Sequence, residues 1–132
     1  MKLLIVEDDL DFADALARAM QKRGAAVELA HDAIEALAVA ERFAPTHAVV
    51  DLKLPGESGL KVVAMLAARV PAPAIVVLTG YASIATAVEA VRLGARHYLA
   101  KPADADEVLA ALLRDEPDAA LEVSPEPLTV AR

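Results

Sequence analysis

This chain of 132 residues has no cysteine and no tryptophan, and its only aromatic side chains are Phe12, Phe43, Tyr81 and Tyr98. Without thiols, neither a disulfide framework nor a thiolate metal site can form. That suits a reducing compartment, and a cytoplasmic setting is expected. No apolar run approaches the roughly 20 residues of a membrane span. The first apolar run, Lys2–Val6, soon meets Glu7, Asp8 and Asp9, so no signal peptide is expected and no membrane partner either. Basic charge is also scarce, with 13 Lys and Arg against 20 Asp and Glu and a net charge of −7. Gripping nucleic acid takes clustered cations, so this segment is not expected to bind it alone.

The composition is 57% hydrophobic, chiefly Ala, Val and Leu. That is enough for one domain with a substantial core, and the small side chains let helices approach a sheet closely. Five apolar runs alternate with five helical patterns, the signature of a parallel α/β sheet. The strands are expected at Lys2–Val6, Ala26–Ala30, 48–51, Ala74–Leu78 and Arg96–Leu99, with Thr46-His47 leading into the third. Ala26–Ala30 carries Glu28 between apolar residues, which suits an edge strand with one wet face. The helices are expected to face inward through Phe12, Leu16 and Met20; Ile34, Leu37 and Ala38; Leu60, Val63, Leu66 and Ala67; Ile84, Ala87, Val88 and Val91; and Val108, Leu109, Leu112 and Leu113. Asp32 with Glu35, Ser58, Ser83, and Asp104 with Glu107 are the expected helix starts. The five glycines all fall at element ends or in loops. Residues 1–114 read as one domain. Residues 115–132, with Pro117, Pro125, Pro127 and a net charge of −4, read as an acidic linker or tail leading to a further domain.

The stretch from Ala48 to Gly59 organises the rest. Ala48-Val49-Val50 ends in Asp51, and Pro55 and Gly56 break the backbone soon after. Asp51 is therefore expected at the carboxyl end of a central strand, where open α/β sheets collect their ligands. Other strands end comparably: strand one in Glu7, Asp8 and Asp9, strand four in Thr79, and strand five in Lys101. Each has an ordinary structural use as a cap, a turn residue or a solvated lysine. Four suitable groups on four strand ends nevertheless point to one site. A pair of carboxylates about 4 Å apart repels by about 4 kcal/mol at an effective dielectric near 20. Lys101 can offset one charge and a divalent cation the rest. Oxygen ligands without His or Cys suit Mg²⁺. Such a site can accept a phosphoryl group on a nucleophilic carboxylate.

The combination of Glu7-Asp8, Asp51 with Pro55 and Gly59, Thr79, and Tyr98 with Lys101-Pro102 resembles the receiver domain of two-component response regulators. Residues 51–59 and 79–88 resemble the RegA/PrrA class in particular. The resemblance implies a flavodoxin-like (βα)5 three-layer sandwich with strand order 2-1-3-4-5. It implies phosphorylation of Asp51 by a histidine kinase, with Mg²⁺ held by Asp8, Asp51 and the backbone carbonyl of Lys53, and by Glu7 through water. Lys101 would pair with Asp51 and then with the phosphoryl group, while Thr79 would hydrogen-bond a phosphoryl oxygen. Tyr98 would follow Thr79 in a switch of the helix four, strand five and helix five face, and the bond before Pro102 would be cis. Lys53 and Tyr81 would flank the site and tune phosphoryl lifetime. Self-phosphorylation and slow dephosphorylation would be its only chemistry. A full-length parent would bind DNA through a separate domain to control transcription, and homodimerisation on phosphorylation is left open. His31, His47 and His97 are expected to have surface or packing roles.

Three other readings share parts of this pattern. A Mg²⁺-dependent phosphatase with an aspartyl nucleophile usually wants a second acid where Lys53 stands. A flavodoxin-like nucleotide binder would meet repulsion from Glu7-Asp8-Asp9. An interaction module independent of phosphorylation would have no use for the intact strand-end groups.

Overall fold

The structure, a computed structural model, describes residues 1–54, 59–80 and 84–114. The expected turn at Pro55-Gly56, the Ser58 and Ser83 caps, Tyr81, the Ile84 side chain and the 115–132 tail lie outside these residues.

Five strands, β1 (Lys2–Val6), β2 (Ala26–Ala30), β3 (His47–Asp51), β4 (Ala74–Thr79) and β5 (His97–Ala100), form one parallel sheet in the order β2-β1-β3-β4-β5. The helices are α1 (Leu10–Lys22), α2 (Ala33–Phe43), α3 (Gly59–Ala67), α4 (Ile84–Leu93) and α5 (Ala105–Leu113). Strand side chains alternate between faces, and here both faces are apolar. Leu4, Val6, Ala48, Val50, Ile75 and Val77 pack with α2, α3 and α4, whereas Leu3, Ile5, Val49, Val76 and Leu78 pack with α1 and α5. That is a three-layer flavodoxin-like arrangement, with the strand order the resemblance implies. β2 is an edge strand, as the sequence implies, and its Glu28 pairs with Arg42 at 3.2 Å.

Local chemistry sets the helix ends. Asp9, Asp32 and Asp104 are N-caps whose side chains accept from the N–H groups of Phe12, Glu35 and Glu107. Asp104 and Glu107 form a reciprocal capping box. The Glu35 carboxylate instead reaches one residue further back, to the His31 N–H at 2.8 Å. β5 begins one residue later than expected, at His97.

Two inward faces need correction. In α2, Ile34 and Leu37 are 80% and 47% exposed and Ala38 is exposed, while Ala36, Val39 and Ala40 are buried. The helix is so rich in Ala, Ile, Leu and Val that periodicity does not single out a face. The sheet takes the side with the smaller side chains, which permits close approach. Leu113 of α5 is likewise 59% exposed, because it occupies the last turn, beyond the inward pair Val108 and Leu112.

Candidate functional site

Period-two alternation continued to the strand ends sorts the site residues. Glu7 follows Leu3 and Ile5, Asp51 follows Val49, and Lys101 follows Leu99, all on the α1 and α5 side. Register aligns them: Val6 pairs with Val50, Asp51 with Leu78, and Thr79 with Ala100. The Lys101 N–H donates to the Thr79 carbonyl at 2.8 Å, extending the ladder to the lysine. Lys101 Nζ then lies 2.8 Å from Glu7 Oε1 and 3.1 Å from Asp51 Oδ2. The Lys101–Pro102 bond is cis.

Asp51 is 5% exposed and Glu7 1% exposed. The other Asp51 oxygen, Oδ1, accepts from the Lys53 N–H at 3.0 Å. Glu7 Oε2 accepts from the Asp9 N–H at 3.1 Å. Asp8 is exposed at the rim and completes a group of three carboxylates with Glu7 and Asp51, whose oxygens lie within 4.8 Å of one another. These residues line an open cavity with Asp9, Lys53, Leu54 and Lys101.

Its electrostatics follow from that crowding. Burial, with Asp51 adding to it, pushes the Glu7 carboxyl from 4.5 up to about 7, against the lowering influence of Lys101 and the Asp9 N–H. Burial works against the Lys101 ammonium, but contacts with Glu7 and Asp51 outweigh it and raise its pKa. One ammonium faces three carboxylates, so the set carries excess negative charge. All its donors are hard oxygens, which fits a divalent cation such as Mg²⁺ or Ca²⁺.

Gly59 explains how α3 can start directly behind Asp51. A Cβ there would come 2.6 Å from the Asp51 carbonyl oxygen and 2.5 Å from Leu52 Cα. The Gly59 N–H donates to the Leu52 carbonyl at 3.1 Å.

Thr79 and Tyr98 follow the opposite parity. Thr79 continues Ile75 and Val77 on the α2–α4 side, and half-buried Tyr98 packs against that same cluster opposite Val77. The Thr79 hydroxyl is buried and donates to the Gly80 carbonyl at 3.2 Å. The structure thus brings Glu7, Asp8, Asp51 and Lys101 together and leaves Thr79 beside them, turned from the carboxylates. Two neighbours had no signal in the sequence. His31 Nδ1 lies 3.0 Å from the Glu7 carbonyl oxygen, and the Phe12 ring lies beneath Lys101 Nζ at 5.1 Å. Both contacts join elements distant in sequence, and neither residue belongs to a motif.

Residues 3–113 match the family model described as the response regulator receiver domain. The chain is 54% identical over 112 residues to the acid tolerance regulatory protein ActR of Rhizobium meliloti (strain 1021), covering 85% of this chain and 58% of that protein. It is 54% identical over 111 residues to the photosynthetic apparatus regulatory protein RegA of Cereibacter sphaeroides, covering 84% of this chain and 60% of that protein. It therefore spans less than two thirds of those relatives. Among solved structures, it is similar to a response regulator protein from Burkholderia pseudomallei with a phosphorylated aspartic acid, calcium ion and citrate. That match has a TM-score of 0.83 and 44% identity, and covers 98% of this chain and 76% of the other. The receiver domain of NtrX from Brucella abortus matches with a TM-score of 0.76 and 33% identity, covering 83% of this chain and 93% of that one. Among the described residues no helix is long and apolar enough to cross a membrane. By fold, by strand-end residues and by sequence, this chain belongs to the response regulator receiver domain family, a family of signalling proteins rather than classical enzymes.

Proposed function

We propose that Asp51 is the phosphoacceptor of this chain, that a histidine kinase is the donor, and that the chain acts in the cytoplasm. The observation that carries the reading is Lys101 Nζ set between Asp51 at 3.1 Å and Glu7 at 2.8 Å, with Asp8 completing the acidic group. An Asp51 carboxylate oxygen attacks phosphorus as the bond to the donor's imidazole nitrogen breaks, and the electron pair leaves with the imidazole. Asp8, Asp51 and the Lys53 carbonyl would hold Mg²⁺, with Glu7 acting through water. The cation, when bound, neutralises charge on the phosphoryl oxygens. The Burkholderia pseudomallei relative, whose structure contains a phosphorylated aspartic acid and a calcium ion, supports a phosphoacceptor reading with a divalent cation.

The chain's own groups do the rest. Lys101 shifts its ammonium from the carboxylates to the new phosphoryl oxygens, a charge-assisted contact. Thr79 turns its hydroxyl from the Gly80 carbonyl to a phosphoryl oxygen, and Tyr98, on the same face of the sheet, moves into the space this leaves. A bias of about 1.4 kcal/mol suffices for a tenfold shift of such an equilibrium. The altered face is formed by α4, β5 and α5. In a full-length protein it would control an output domain, with DNA the expected target, and phosphorylation-dependent homodimerisation is a natural route. Residues 1–114 are the receiver unit and 115–132 the linker.

Mass spectrometry after incubation with acetyl phosphate and Mg²⁺ tests the central step. A gain of one phosphoryl group in wild type and none in Asp51→Asn is expected. Equal gain in both would sink the assignment.

A further inference from the structure

Four contacts close a ring at the start of α1. The Asp9 N–H donates to Glu7 Oε2 at 3.1 Å, and the Phe12 N–H donates to Asp9 Oδ1 at 3.1 Å. The Phe12 ring faces Lys101 Nζ, 5.1 Å from its centroid, and Lys101 Nζ returns to Glu7 Oε1 at 2.8 Å. Glu7, Asp9 and Lys101 all line the acidic cavity. Phe12 is the apolar member of the ring, and the reading above gives it no task.

We propose that Phe12 is a positioning residue for Lys101, its ring face holding the ammonium over the acidic site and aimed at Asp51. This rests on Lys101 serving phosphoryl transfer as described above. A lysine is a point charge on a flexible four-carbon stem, so aiming it requires a restraint. The Lys101 side chain is 30% exposed, and water competes for it. A ring quadrupole attracts the charge, yet offers no oxygen to rival Asp51 or an incoming phosphoryl group. The restraint is therefore directional but weak enough to release the ammonium. The ring itself is fixed from two sides. Phe12 is half-buried against the α1 and α5 core layer, and the Asp9 cap ties its backbone. Simple core packing would also place a large side chain here, and the test must separate the two roles.

In the full chain, the initial rate of Asp51 phosphorylation by acetyl phosphate with Mg²⁺ is compared among wild type, Phe12→Leu, Phe12→Tyr, Lys101→Met and Phe12→Leu with Lys101→Met. Phe12→Leu should slow the reaction about 3- to 10-fold, as expected for losing one cation–π contact. Phe12→Tyr should stay within about twofold, because the ring remains. In the Lys101→Met background, Phe12→Leu should add nothing. Equal slowing in both backgrounds would show a packing role and overturn the proposal. A second readout needs neither phosphorylation nor a folded variant. In wild type, ring current should move the Lys101 ε-methylene protons upfield of a free lysine, and an ordinary lysine shift overturns the proposal. Failure of wild type to take a phosphoryl group would instead defeat the functional reading, leaving the resonance shift to judge the contact.

Discussion

Gly59 stands against the backbone of Asp51 so closely that a single added carbon would lie 2.6 Å from the Asp51 carbonyl oxygen. The neighbours it would strike are backbone atoms, which do not rotate away. Gly59→Ala is therefore expected to lose about 1–3 kcal/mol of stability by overpacking, read by urea denaturation. It should also slow Asp51 phosphorylation, since relief of the clash must shift β3 or α3. An unchanged midpoint would mean that the α3 start moves freely.

Removing the ammonium exposes the carboxylate crowding. Lys101→Met leaves Glu7 and Asp51 facing each other uncompensated. The metal-free protein should lose about 1–3 kcal/mol, and Mg²⁺ should restore part of that loss. Phosphorylation should slow at least about tenfold. Thermal melts with and without Mg²⁺ check the first pair of outcomes, and a rate measurement checks the third.

The raised Glu7 carboxyl makes the site pH-dependent. Folded protein holds this proton up to about pH 7, whereas an unfolded glutamate releases it near 4.5. The folded state binds the extra proton, so this group's contribution to stability falls as pH rises from about 4.5 to about 7 and then levels off. Glu7→Gln removes the titration. Its stability advantage over metal-free wild type should therefore grow between pH 5.5 and pH 8, and a constant difference would contradict the shift. Mg²⁺ binding favours the ionised carboxyl, so wild-type affinity should rise from pH 6 to pH 8 with proton release. Titration calorimetry in buffers of different ionisation enthalpy measures that release.

The capping box of α5 predicts a local effect away from the site. Asp104→Ala removes the acceptor for the Glu107 N–H at 2.8 Å and should cost about 1 kcal/mol. Ile34→Lys, on the 80% exposed side chain of α2, should change stability by less than about 0.5 kcal/mol. Denaturant midpoints for the two variants would rank the sites. The reverse order would restore the inward α2 face that periodicity suggests.

Much of the molecule was legible in one dimension because its signals are local. Leu3-Leu4-Ile5-Val6 and Ile75-Val76-Val77-Leu78 are unbroken apolar runs because each strand is covered on both faces. Asp104 and Glu107 cap α5 through bonds that span three residues. The α2 face was not legible, because Ala, Ile, Leu and Val all suit burial and only the available depth over the sheet chooses among them. Leu113 escaped for a related reason: whether the last turn of a helix is covered depends on where its neighbours end.

The sequence alone determined the element order, the parallel sheet and the chemical types standing at the strand ends, since strand period and turn residues act between near neighbours. Tertiary structure decided which strand ends meet. Register and side-chain parity put Glu7, Asp51 and Lys101 on one face and Thr79 with Tyr98 on the other. It also decided that the Phe12 ring comes under Lys101, a contact spanning 89 positions that exists because the start of α1 and the residue after β5 both lie at the carboxyl ends of the parallel strands. Pairing of distant strands costs chain entropy that no local pattern records, so those meetings appear only once the whole sheet has formed.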